Sequence, residues 1–268
     1  MSAQRRVFVL LVAALLVLTG CSGSSSQDAA SPTSGADSSE DLTGTLTVFA
    51  AASLTDVFTE LGDQMMADNP DLDIRFNFAG SSALATQITQ GAPADLFASA
   101  NETQMTVVTD AGLEGEEPTV FTENVLEIAV PKGNPGKVAG LADFAKPELT
   151  LAVCAPEVPC GAAATTVFET AGITAVPDTQ EEDVRAALTK VELGEVDATL
   201  VYASDVQSAG SGVEGITFPE AEQAVNEYPI CTLAAAPNPD AAKAFVDLVL
   251  SDPGQQALAA AGFRAPPA

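Results

Sequence analysis

Residues 47–58 read TVFAAASLTDVF. An apolar, β-branched run ends in three alanines and Ser53, and Leu54, Val57, Phe58, Leu61 and Met65 then recur at helical spacing. The stretch is a strand that runs directly into a helix, the unit from which α/β folds are built. Ser53, with Asp56 three positions on, has the form of a capping pair that opens a helix over 54–66. No charged side chain stands at the junction, although the chain carries 10 basic and 37 acidic residues and a formal net charge of −27.

Outward from this unit the pattern repeats. Strand candidates lie at 45–50, 73–78, 95–99, 125–130, 149–153, 198–202 and 230–234, and amphipathic stretches follow most of them. The fold class is therefore α/β with mostly parallel strands. A second clear helix begins near Asp183, with Val184, Ala187, Leu188 and Val191 on one face and Gly194 placed to end it. Two longer runs, 124–130 and 227–233, bracket the middle of the chain. They fit two arrangements: a single sheet, or two lobes joined by these runs as crossovers. In the second arrangement, lobe 1 is 45–123 plus 230–268 and lobe 2 is 124–229.

The first 20 residues have the form of an export signal, with Arg5 and Arg6 before a continuous apolar run. Leu18, Thr19, Gly20 and Cys21 have the shape of a lipoprotein cleavage box, so Cys21 is the expected acylated N-terminus, tethered outside the cytoplasm. Residues 22–44 are Ser-rich and acidic with a single leucine, Leu42, and no other large apolar side chain, too little to bury a core. As a flexible leash this segment reaches about 25 to 30 Å from the membrane.

Loss of the signal removes two arginines and leaves 8 basic against 37 acidic residues, a net of −29. That balance excludes nucleic-acid binding by phosphate neutralisation. No histidine is present. Three cysteines remain beyond Cys21, and the short loop between Cys154 and Cys160 favours a bridge there over one that uses Cys231. The spacing does not suit zinc.

Four junctions carry the candidate chemistry: 48–53, 77–82, 153–161 and 200–204. Each sets a small residue or hydroxyl where a parallel strand ends, and ligands of open α/β sheets bind outside such ends. A helix N-terminus there offers free N–H groups and a positive dipole end, so it suits an anion without any Lys or Arg. Each residue also has a plain structural role: Ser53 and Ser81 as helix caps, Val184 and Tyr202 as core, Cys160 with Gly161 as a bridged turn.

The motifs FAAASL, FAGSSALATQI, GAPADLFASA, VPCG, EEDVRAALTKVELGEVDATLVYASDV and EYPI follow in this order from residue 49 onward. Together they resemble the periplasmic molybdate-binding proteins, the solute receptors of molybdate ABC transporters. The resemblance spans the body of the chain. It implies a type II periplasmic-binding-protein fold, two α/β lobes with helices on both sheet faces, joined by two crossover strands and closing on the ligand. It also implies an oxyanion held by neutral donors: Ser53 and Ser81 through hydroxyl and N–H, Cys160 and Val184 through N–H, and Tyr202 through its hydroxyl. Position 160 departs from the family, which often has Ala there, and the contact is a backbone one.

On this resemblance the expected ligand is molybdate, with tungstate accepted as well. Molybdenum enters only as the oxyanion, with no direct metal ligands and no cofactor. The expected partners are an ABC permease and its ATPase, with a membrane through the lipid anchor, and the expected state is a monomer. Monohydrogen phosphate brings a proton that these donors cannot accept, and sulfate differs by its smaller size. An enzyme is disfavoured, since no nucleophile elbow or paired base is present. Another receptor of the same fold, for a different oxyanion or an organic acid, is the rival reading. Arg185 would favour a carboxylate, but on a helix it points about 100° away from Val184 and is expected on the surface or behind the site.

Overall fold

The computed structural model describes residues 42–267. The signal segment, Cys21 and the leash up to residue 41 lie outside the described residues. Among the described residues no helix is long and apolar enough to cross a membrane.

The chain runs β1 (Gly44–Ala51), α1 (Thr55–Asp68), β2 (Leu72–Ala79), α2 (Ser81–Thr89), β3 (Leu96–Ala98) and α3 (Glu102–Asp110). It continues through β4 (Thr119–Asn124), β5 (Leu126–Pro131), β6 (Leu151–Cys154), α4 (Pro159–Ala171), β7 (Thr179–Glu181) and α5 (Val184–Glu192). Then come β8 (Ala198–Tyr202), α6 (Ala203–Ala209), β9 (Val213–Ile216), β10 (Asn226–Thr232), α7 (Pro239–Leu250) and α8 (Asp252–Ala260).

The strands form two five-stranded sheets with helices on both faces, in the orders β2-β1-β3-β10-β4 and β7-β6-β8-β5-β9. The two orders have one topology. In the first, β1 is parallel to β2 and β3, and β10 runs antiparallel to β3 and β4. In the second, β6 is parallel to β7 and β8, and β5 runs antiparallel to β8 and β9. In each sheet only the fourth strand in order opposes the rest. The parallel strands therefore end on one edge, where their βα junctions collect.

The chain passes from one sheet to the other twice. The expected run at 124–130 breaks at Val125, with β4 in the first sheet and β5 in the second. Asn124 is buried at this bend, where its Oδ1 accepts from Val125 N–H at 3.0 Å and its Nδ2 donates to Ser204 Oγ at 2.7 Å. The return runs from β9 to β10, and β10 pairs only within the first sheet. The short edge strands β7 and β9, TQE and VEGI, escaped the sequence reading because polar residues break their alternation. The apolar face of α1 packs on the first sheet as its periodicity predicts, with Phe58 stacked edge-on to Phe245 of α7 at 5.3 Å between ring centres.

Candidate functional site

The five candidate residues, Ser53, Ser81, Cys160, Val184 and Tyr202, line one cavity between the two sheets. All five are buried, none more than 4% exposed. The space open to the centre of a water molecule there is about 10 Å³, room for one small group and too little for an extended organic ligand. A larger groove of about 600 Å³ lies elsewhere, but Glu102, Glu114, Glu116 and Glu117 line it, the wrong sign for an anion.

Each cavity residue is delivered by the end of a strand. Ser53 sits in a short 3₁₀ turn, Ala52–Leu54, between β1 and α1. Here the sequence reading is corrected. Ser53 caps nothing: α1 starts at Thr55, and the Ser53 hydroxyl instead shares a 2.9 Å hydrogen bond with the Tyr228 hydroxyl. Ser81 is likewise not a cap but the first residue of α2, with Gly80 in the cap position. Its Oγ accepts from Ala100 N–H at 3.0 Å. That bond fills an acceptor position and leaves the Ser81 hydrogen free for a ligand. With Tyr228 as donor, Ser53 is left in the same state.

On the second sheet's side, α4 opens with Pro159, which has no N–H, so the N–H groups of Cys160 and Gly161 are the first in the helix and have no carbonyl one turn earlier. The Cys154–Cys160 disulfide, Cα to Cα 5.7 Å, ties this helix start to the end of β6. Cys231 is free and buried against Met105. Burial first, and the Glu114 charge second, push its thiol up to about 12. Val184 opens α5, capped by Asp183, whose Oδ1 accepts from Ala186 N–H at 2.9 Å. Asp183 also borders the cavity, and its carboxylate is the only charged side chain in the lining.

Tyr202 ends β8 and precedes α6. Its hydroxyl is buried with no hydrogen-bond partner. Burial is the main cause that holds its pKa well above the usual 10, so the phenol stays a donor. Its ring packs edge-on to that of Tyr228, 6.0 Å away between centres, and Tyr228 is likewise pushed up by burial.

Arg185 is absent from the lining and is not a freely solvated surface residue. Its guanidinium lies 2.6 Å from Asp56 Oδ2 of α1 and 3.2 Å from Asp205 Oδ1 of α6. Asp205 is fully buried, and burial pushes its carboxyl up to about 7, against the opposing pulls of Arg185 and the Tyr202 N–H it accepts at 3.0 Å. The cavity is thus ringed by helix N-termini, two serine hydroxyls and one phenol, with no cation. Such a set favours an anion through dipoles and N–H groups alone.

Residues 46–264 match the family profile of the bacterial extracellular solute-binding proteins. The chain belongs to that family. Among its relatives, the molybdate-binding protein ModA of Mycobacterium tuberculosis is 44% identical over 259 residues, which cover 96% of this chain and 97% of the relative. The periplasmic molybdate-binding protein of Azotobacter vinelandii superposes with a TM-score of 0.67 at 18% identity, over 83% of this chain and 100% of that one. The sulfate-binding protein SubI of Mycobacterium tuberculosis superposes as well, with a TM-score of 0.68 at 18% identity, over 82% and 86%. Shape alone therefore shows the fold and does not separate the two oxyanions. The resemblance to molybdate-binding proteins rests on sequence, through motifs of which all but EYPI contribute residues to one cavity.

Proposed function

We propose that this protein is an extracytoplasmic receptor that binds molybdate in the cavity between its sheets and delivers it to an ABC permease and ATPase. Tungstate, of the same shape and charge, is accepted too. The observation that carries this reading is the buried Tyr202 hydroxyl, unpartnered in the wall of a cavity that Ser53, Ser81 and the starts of α4 and α5 also line. A tetrahedral oxyanion satisfies all of these donors at once, and an unmet buried donor is costly. The ligand contacts are Ser53 and Ser81 through hydroxyl and N–H, Cys160 and Val184 through N–H, and Tyr202 through its hydroxyl.

The 44% identity to a protein named for molybdate binding supports molybdate over sulfate. The protein works by binding and release, without catalysis, cofactor or direct metal ligand. It acts as a monomer whose two lobes close on the ion, the second ending before residue 226 and not at the expected 229, because β10 lies wholly in the first sheet, and it is held to the membrane by acylated Cys21. Titration calorimetry of the chain from Leu42 onward with molybdate, tungstate, sulfate and phosphate tests the reading. Heat from the first two and none from the others is expected. Silence with molybdate refutes it.

A further inference from the structure

The five candidate residues in the cavity are no more than 4% exposed, so no ion reaches them while the two sheets stay in this arrangement. Ingress requires them to part, and the contacts that span them decide how firmly they close. One such contact is steric. Gly80 caps α2 beside Ser81, and a Cβ built on it would stand 2.5 Å from the backbone carbonyl oxygen of Glu182, on the segment that leads into Val184. A second is ionic. Arg185, on the other side of Val184, reaches Asp56 of α1, three residues beyond Ser53. Residues 182–185 are thus gripped twice by the first sheet's elements, at the two places that also deliver its serines.

We propose that Gly80, in the cavity wall, and the Arg185–Asp56 pair, outside it, are affinity-determining positions that act on closure. The proposal rests on the oxyanion reading given above. Gly80 lets the Glu182 carbonyl come to rest on a bare Cα, so that Val184 N–H meets the ion held by Ser53 and Ser81. Its φ of −58° and ψ of 133° suit any residue, so Gly80→Ala leaves the local backbone unstrained and is felt only across the cleft. The colliding atom is backbone and cannot swing aside. The ion pair adds a smaller, salt-sensitive grip, because Asp56 is largely exposed.

The test compares wild type, Gly80→Ala and Asp56→Asn by molybdate calorimetry, thermal unfolding without ligand, and small-angle X-ray scattering with and without molybdate. Gly80→Ala should lose tenfold or more in affinity, keep its melting temperature, and stay more open than wild type in at least one scattering condition. Asp56→Asn should lose about two- to fivefold, a loss that vanishes at high salt. Equal scattering of wild type and Gly80→Ala in both conditions, or equal affinity where wild type binds, overturns the proposal. Failure of the ligand reading shows separately, as wild type that gives no heat with molybdate.

Discussion

Removal of one oxygen atom, in Tyr202→Phe, separates a binding role from a structural one. In the structure the Tyr202 hydroxyl has no partner, so its loss takes no hydrogen bond from the ligand-free fold, and the ring still packs on Tyr228 at the same place. With the oxyanion bound, the same hydroxyl would donate a charge-assisted bond worth about 1.5 to 3 kcal/mol. Affinity for molybdate should then fall about 10- to 150-fold, while the unfolding temperature without ligand stays level or rises slightly. Calorimetry reads the first quantity and thermal denaturation the second. Unchanged affinity removes Tyr202 from the site. A clear drop in ligand-free stability would mean that the hydroxyl has a structural partner, which refutes the premise.

Three further outcomes follow from the geometry. Reduction of the Cys154–Cys160 bridge, or its replacement by two serines, should cost about 2 kcal/mol for so short a loop and weaken molybdate binding, since the bridge fixes the start of α4 where Cys160 lines the cavity; calorimetry with and without dithiol that gives one affinity would refute the coupling. Asp205 binds its proton more tightly in the folded protein, at about 7 against an ordinary 3.8, so this group's contribution to stability is greatest below pH 4 and is lost as pH rises to 7. Asp205→Asn should remove that loss, as much as about 4 kcal/mol, and urea denaturation from pH 4 to 8 that shows parallel curves for the two proteins would refute it. Molybdate association should quicken as salt rises from about 10 to 150 mM, because a chain of net charge −27 repels a dianion until the charges are screened; stopped-flow rates that fall with salt would point to a cation at the mouth.

What was legible in the sequence was what short-range chemistry decides. The start of a helix near Asp183, the buried face of Val184, Ala187, Leu188 and Val191, and the run of β1 into a helical turn all follow from residues within a few positions of one another. The capping role given to Ser53 failed because its hydroxyl is claimed by Tyr228, 175 residues away, a contact that no local pattern announces. Tyr228 stood in the quoted EYPI motif, and Gly80 in FAGSSALATQI, without a role of its own. Both act across the fold, and only the assembled sheets show what they face. Helix geometry put Arg185 away from Val184, and the structure leaves it out of the cavity lining, but its two carboxylate partners come from α1 and α6 and were invisible to spacing.

The strongly acidic chain and its proposed anion site are reconciled by where the charges sit. Most carboxylates are on the surface, where salt confines their reach to about 8 Å, whereas N–H groups at helix starts act at contact distance. The carboxylates nearest the cavity are each engaged. Asp183 spends an oxygen on the cap of α5, and Asp56 and Asp205 share Arg185. Fully ionised, that trio carries one negative charge, and when Asp205 takes up its proton near pH 7 the trio is neutral. Burial of Asp205 therefore does more than hold the N–H of Tyr202: it keeps the ground behind the site close to neutral, so that a dianion can be held by dipoles alone. A lysine in the cavity would bind the ion more strongly at first contact, but it would grip every small anion alike and bring a buried charge to be neutralised when the site is empty. Neutral donors leave size and protonation state as the grounds of choice, and both suit a receptor that must also let its ion go.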